Sequence, residues 1–279
     1  MKRRTRKIRA TVLTYLGLIV GLIFAGFPIL WMISCSFKPN LEIFAIPPTI
    51  IPKTFTLDAY VTIFETPAKL RYFINSYLVA GVVTALTVLI SIITAYSFSR
   101  FRYPGKNLFN ILIISTQTVP PITLVIPYFG MVVTLGMFNT YWALIVTYLV
   151  FTLPYAVLLM TGYFNTLPRE LDEAVRVDGG TSWTALWRVI VPISLPGIVA
   201  TAVYSFLLAW NEFLFALTLT KSNELRTVPV GIQLLMGQHA FEWSEMMAMS
   251  VLGSLPLLAL YLFAQRYFLV GMTAGSVKA

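Results

Sequence analysis

Residues 107–168 form a run of 62 residues without a single Asp, Glu, Lys or Arg. Crossing a bilayer as a helix takes only about 20 apolar residues. The run is too long for one crossing and too apolar for a water-soluble surface, so it has to cross more than once. Uncharged runs also occupy 10–37, 72–99, 189–211 and 246–265. Only 11% of the residues are charged, against about 25% in soluble domains. Much of the molecular surface therefore faces something other than water.

The long run has one good dividing point, Leu135–Thr140, with turn formers at Gly136 and Asn139. Pro120-Pro121 is a second candidate. Cutting there leaves a first half too short to span, so the pair is placed inside a helix as a kink or unwound turn. Such breaks are tolerated where neighbouring helices or a cavity satisfy the freed backbone groups. The expected architecture is an all-α integral membrane protein, 1–279 being one transmembrane domain. Its six helices are placed at 12–34, 73–98, 108–132, 140–162, 194–218 and 247–267.

Basic residues orient these spans. With the N-terminus inside, the inner segments hold 14 of the 20 Lys and Arg and the outer segments hold 6. Both termini are thus expected in the cytoplasm. The net charge of +9 is distributed as membrane flanks rather than as a stripe on a polar domain, which argues against nucleic acid. The first run is longer than a signal-peptide core and lacks a clear cleavage site. Met32-Ile33-Ser34-Cys35 is a poor match to a lipoprotein site. It reads as a span, with Cys35 an ordinary buried thiol.

One cysteine and one histidine, His239, leave no internal disulfide and no plausible metal cluster. No G-x-x-x-x-G-K-[ST] phosphate loop occurs; Gly105-Lys106 is followed by Asn107. The chain is therefore expected to be no enzyme and to carry no cofactor. Energy for any transport must come from a partner or an ion gradient.

Three connections are too long for turns. The outer loop at 38–71 is proline-rich and expected to hold one or two short helices, one near Leu57–Phe64. The outer loop at 219–246 holds His239, Glu242, Trp243 and Glu245. The inner segment 167–192 is the only extended polar stretch on its side and reads as two short helices with a turn between them. Leu167, Leu171, Ala174 and Val175 share one face. Arg169–Glu173 and Asp172–Arg176 are spaced as i,i+4 pairs on the other. Gly179-Gly180 stops the first helix, and Thr181 or Ser182 caps the second. Trp183, Leu186, Trp187 and Ile190 form the second helix's apolar stripe, which Pro192 ends. Such a hairpin is either a membrane-surface element or a rigid docking element for a soluble protein.

This segment resembles the EAA loop of ABC importer permeases, Glu-Ala-Ala, two residues, Asp-Gly, nine residues, Ile-x-Leu-Pro. Here it stands as Glu173-Ala174-Val175-Arg176-Val177-Asp178-Gly179, then nine residues, then Val189-Ile190-Val191-Pro192. The departures at Val175, Val189 and Val191 are conservative. The resemblance extends over nearly the whole chain through Ser36-Phe37-Lys38-Pro39, Asn75-Ser76, the stretch from Tyr96 to Lys106, Trp210-Asn211-Glu212-Phe213, and the ending Gly271–Lys278. Together these are similar to the maltose-type carbohydrate permeases, and to the shorter of their two permease subunits.

The resemblance implies the type I ABC importer permease fold in a prokaryotic inner membrane. It also implies partners: a second homologous permease, two copies of a cytoplasmic ABC ATPase that bind the ATP, and an extracytoplasmic solute-binding protein that delivers a sugar. Glu173 and Asp178 would be polar docking or hinge positions. Ala174 would allow close packing, and Gly179, with Gly180 after it, would make the turn. Arg176 is not fixed by the motif and is included as part of the same coupling surface.

Ionisable groups inside a bilayer are costly and usually functional. Glu212, near the outer end of the fifth span, is the only candidate, and reaching the outer headgroups is its plainer role. Asn75, Thr116, Gln117, Tyr204, Asn211 and Glu212 are the candidate substrate-pathway residues. Tyr204 and Trp210 are also the kind of aromatics that form an interfacial belt. The competing function is an ion-coupled secondary sugar transporter, which requires carboxylates near the midplane and inverted repeats. A membrane enzyme would require acids or histidines clustered at one interface. The sequence has neither pattern.

Overall fold

The computed structural model describes residues 2–237 and 242–274, with side chains from 11 to 266 within those bounds. His239 and the Gly275–Lys278 part of the C-terminal motif lie outside the described residues.

The described chain is helical: α1 Lys2–Ser36, α2 Asn40–Ile43, α3 Asp58–Glu65, α4 Pro67–Arg100, α5 Lys106–Thr116, α6 Val125–Thr134 and α7 Tyr141–Asn165. There follow α8 Glu170–Val177, α9 Ser182–Ala185, α10 Val191–Ile193, α11 Leu195–Trp210, α12 Leu214–Leu219, α13 Val228–Leu234 and α14 Trp243–Ala274. Four helices are long and apolar enough to cross a membrane, and six crossings result if each of two bent pairs is one span. The first bent pair joins Lys106–Thr116 to Pro121–Thr134 at 93°. The second joins Ser182–Ile193 to Leu195–Trp210 at 79°.

Both bends have local causes. Pro120 and Pro121 lack the N–H groups an α-helix needs at these positions. The chain passes them through a 3₁₀ turn at Pro121–Leu124. Of the kink or unwound turn that the sequence suggested, the structure has the unwound turn, bent into a sharp corner. In the second pair a π-helical stretch, Leu186–Ile190, follows α9. Pro192 does not end the helix but lies within α10, and the corner comes at Ser194. Beyond Trp210 the helix stops at Asn211–Phe213 and resumes as α12, so the span expected at 194–218 is interrupted.

The chain divides into two compact units. One comprises the chain up to Pro67 with Ile232–Ser254. Here α1 is apolar over Thr11–Ser36 and exposed over most of its length, with Cys35 and Ser36 buried at its end, leaving most of its surface to lipid or another subunit. Lys38 is fully buried, donating to the Thr49 carbonyl and lying 4.7 Å from the Trp31 ring centroid. Ser244 Oγ donates to the Lys38 carbonyl at 2.6 Å, and Asn40 Nδ2 donates to Glu242 at 2.7 Å. Glu42 gathers the connecting loop, accepting from the Lys53 and Thr54 amides at 2.7 and 3.0 Å and from Thr49 Oγ1 at 3.0 Å. Those amide bonds, the Lys53 one foremost, hold its carboxyl below the usual carboxylate range.

The other unit comprises Ala68–Gly231 and the chain from Leu255. Its cores lie among α4, α7, α11 and α12, around Val83, Leu144, Tyr148 and Phe215 at one level and Ile92, Met160, Phe164 and Ile190 at another. Thr87 and Thr152 share a buried hydroxyl bond of 2.7 Å between α4 and α7. Gly197 lets α11 approach α7, since a Cβ there would stand 2.6 Å from the Tyr163 ring. The turn before α7 is formed by Gly136 and Asn139, at φ +69° and +59°, and Thr140 caps the helix by accepting from the Ala143 amide at 3.3 Å.

Candidate functional site

Two sites emerge, a polar hairpin and a cleft beside α7. The hairpin is α8, its turn and α9. Gly179 sits at φ +79°, a conformation glycine adopts without steric cost. The Gly179 amide donates to the Arg176 carbonyl at 3.0 Å and the Gly180 amide to the Val175 carbonyl at 2.8 Å. This paired closure of a helix C-terminus is the Schellman motif. Gly180 is required for a different reason: a Cβ there would meet Val175 Cγ1 at 2.6 Å and the Val175 carbonyl at 2.9 Å. Thr181 Oγ1 then accepts from the Thr184 amide at 3.3 Å to open α9.

The ion pairs suggested by spacing within α8 do not form. Asp172 turns away from Arg176 and is 5% exposed. It accepts the Tyr96 hydroxyl at 2.5 Å and pairs with Arg100 Nε at 2.8 Å. Arg169 reaches across to donate to the Ser99 carbonyl at 2.9 Å, rather than pairing with Glu173. Arg100 Nη2 donates to the Leu167 carbonyl at 3.2 Å. The hairpin is thus clamped to the end of α4 by a buried charge cluster.

Its other side is open. Glu173, Ala174, Arg176, Asp178 and Gly179 are exposed, and Gly180 is half-buried. Val177 is 87% and Trp183 60% exposed. Ala174 therefore does not pack against the chain's own core as Leu167 and Leu171 do. Of the second helix's apolar stripe, Leu186 and Ile190 are buried and Trp187 half-buried, while Trp183 is left outside.

The cleft has a cavity of about 330 Å³. Of the pathway candidates, Thr116, Gln117, Tyr204 and Glu212 line it. Asn75 and Asn211 do not. Asn75 is buried and fully engaged, donating to the Glu224 and Arg226 carbonyls at 2.8 Å each and accepting from the Tyr141 hydroxyl at 2.7 Å. Asn211 turns back to donate to the Leu207 carbonyl at 2.8 Å. Glu212 does not stretch towards headgroups: its two oxygens accept from the Phe215 and Ala216 amides at 2.8 and 2.9 Å, capping α12. Tyr204 lies against Tyr155 with centroids 4.1 Å apart and ring planes tilted by 32°. Trp210 is buried against Tyr77 and Phe206. Sequence reasoning missed Tyr148, whose buried hydroxyl stands beside the Glu212 carboxylate. Among the described residues, no His, Cys, Asp and Glu side chains gather in a group that could hold a metal ion.

The family model described as "Binding-protein-dependent transport system inner membrane component" matches residues 87–272. The chain belongs to that family. This component is a multi-pass subunit of the prokaryotic inner membrane that works with a solute-binding protein in an ABC importer, and it is a transport subunit rather than an enzyme. One similar relative is the sulfoquinovosyl glycerol transport system permease protein SmoH of Agrobacterium fabrum. It is 37% identical, with 98% of this chain and 93% of that one aligned. Another is the trehalose/maltose transport system permease protein MalG of Thermococcus litoralis, 37% identical over 96% of each. The crystal structure of a bacterial ABC transporter that imports the acidic polysaccharide alginate superposes with a TM-score of 0.82. It covers 95% of this chain and 98% of that one at 20% identity, and it establishes the type I permease fold.

Proposed function

We propose that the chain is the shorter of two homologous permeases in an ATP-driven sugar importer, with both termini in the cytoplasm and the Glu170–Ala185 hairpin seated on one of two ATPase subunits. The observation that carries this reading is the hairpin's two-sided construction. Asp172 ties one side to α4 through a buried ion pair, while the other presents Ala174, Val177 and Trp183 to solvent. A large exposed apolar group beside a rigid, glycine-capped turn suits burial against a protein partner. An ATPase that moved this hairpin would move the end of α4 with it, through a link too costly to break on each cycle.

The sugar reading draws on the relatives named for trehalose, maltose and sulfoquinovosyl glycerol transport. Affinity purification of the tagged chain from native membranes tests the assembly. The expected result is co-purification of a phosphate-loop ATPase and a second permease. Recovery of the chain alone or as a homo-oligomer, active on reconstitution, would refute it.

A further inference from the structure

We infer that the strap at 44–52, which follows α1, inserts its isoleucines into the bilayer leaflet at the C-terminal end of that helix, so that the chain grips the membrane surface there as well as crossing it. The inference holds for that leaflet whichever way the chain is oriented, and it does not depend on what is transported.

The strap is apolar and open. Residues 43–52 include no Asp, Glu, Lys or Arg. Glu42 and Lys53 flank the run, but the Glu42 carboxylate is turned into the loop, where it accepts from Thr49 Oγ1 and from the Lys53 and Thr54 amides. Ile46, Ile50 and Ile51 are 96%, 64% and 79% exposed. Three isoleucines so exposed in one short loop call for an apolar cover.

Hydrogen bonds fix the level of the strap against α1. Ser34 Oγ donates to the Ile50 carbonyl, Lys38 Nζ to the Thr49 carbonyl, and the Thr56 amide to the Phe37 carbonyl at 3.0 Å. Ser34 is two residues before the end of α1, about 3 Å along its axis. The apolar window Thr11–Ser36 has 26 residues. That is about 39 Å of helix against about 30 Å of hydrocarbon. Centred on the bilayer, the window overshoots the hydrocarbon by roughly 4–5 Å at each end. Ile50 therefore stands at the boundary between headgroups and acyl chains, the depth at which interfacial elements bury their apolar face. Tyr60, bonded through its hydroxyl to Ser36 Oγ at 2.8 Å, and Trp31, one helical turn deeper than Ser34, are aromatics of the kind that settle at this level.

The polar groups of the strap suit lipid. Three of the seven residues 46–52 are prolines, which have no N–H to satisfy. The Thr49 and Ile50 carbonyls already have their donors. Backbone at membrane depth is tolerated where such groups are met internally. A protein partner calls for a different surface, because protein interfaces carry about ten direct hydrogen bonds and a polar rim. This face offers no side-chain donor or acceptor, since its one threonine, Thr49, is turned inward to Glu42. Leu30 and Ile33 of α1 are exposed as well, so apolar surface runs on from the helix to the strap.

The test uses the full chain in the assembly in which it is purified, with Cys35→Ala, in nanodiscs of phosphatidylethanolamine and phosphatidylglycerol. A nitroxide is attached at Ile46→Cys, at Ile51→Cys or, as the water-facing control, at Lys53→Cys, an exposed position. Power saturation then compares collisions with oxygen, which concentrates in lipid, and with a water-soluble nickel chelate. The ratio of oxygen to nickel collisions should be severalfold higher at 46 and 51 than at 53. Equal ratios at the three positions would place the strap in water and overturn the inference. Shelter from both reagents at 46 and 51 would mean that another protein subunit covers them, and would overturn it too. Phe44→Cys, exposed on the same strap, supplies the reading if either isoleucine variant fails to assemble. The same high ratio is expected there, and a ratio like that at 53 would count against the inference equally.

Discussion

Asp172, on the hairpin, and Arg100, at the end of α4, pair at 2.8 Å with both side chains almost wholly buried. The Tyr96 hydroxyl adds a 2.5 Å bond to the second carboxylate oxygen. Removing one member of a buried pair strands the other charge and costs about 3–5 kcal/mol. Asp172→Ala should therefore lower the thermal unfolding midpoint of the detergent-purified chain markedly. Tyr96→Phe, which removes one bond to a charged group, should cost about 1.5–3 kcal/mol. A wild-type midpoint for Asp172→Ala would mean the cluster holds nothing.

The glycine turn makes a separate prediction. Gly180→Val drives a side chain into Val175, and a bulky residue at Gly179 must adopt a left-handed backbone at a cost of roughly 1–2 kcal/mol. Both variants should insert into the membrane in normal amounts yet fail to support uptake. Membrane fractionation and uptake assays, run together, separate the two properties. Normal uptake by a bulky Gly179 variant would exclude a coupling role for the turn.

Glu42 sets a pH dependence outside the bilayer. Its carboxyl titrates below the ordinary value of about 4.3 because it accepts the Lys53 and Thr54 amides. A depressed folded pKa means that the loop's stabilisation is complete above that ordinary value. It is lost as pH falls through the lowered one. Hydrogen exchange at Lys53 and Thr54, corrected for the intrinsic rate, should stay protected at pH 6 and lose protection in strong acid. Glu42→Gln should flatten the profile. An unchanged profile in that variant would remove Glu42 as the cause.

Asn139 joins two loops of one unit. Its Oδ1 accepts from the Lys221 and Ser222 amides at 2.8 and 3.0 Å, and its backbone N–H donates to the Leu219 carbonyl at 3.0 Å. Asn139→Asp keeps the acceptor and should unfold close to wild type. Asn139→Ala loses it and also pays for a positive φ, for a total of about 2–3 kcal/mol. Comparing the two melting curves isolates the side-chain acceptor.

Four of the spans and the hairpin were legible because both follow from short-range rules, uncharged run length and the spacing of caps. The tertiary pairings were not. Asp172 lies three residues before Val175 and so borders the apolar face of α8, but which charge it meets depends on where α4 ends. The i,i+4 rule offered Arg176, and burial against Tyr96 and Arg100 prevailed. Glu212 was legible as a costly intramembrane acid, but the break at Asn211–Phe213 that makes it a cap was not. Tyr148 gave no signal, since a tyrosine in an apolar span is ordinary until its buried hydroxyl is found beside the Glu212 carboxylate.

The most direct test of the central claim is uptake into proteoliposomes that contain the assembled complex, with the solute-binding protein and labelled sugar outside and nucleotide inside. The account predicts accumulation with hydrolysable ATP, none with a non-hydrolysable analogue, and none from a proton or sodium gradient alone. Gradient-driven accumulation by this chain without an ATPase would contradict it.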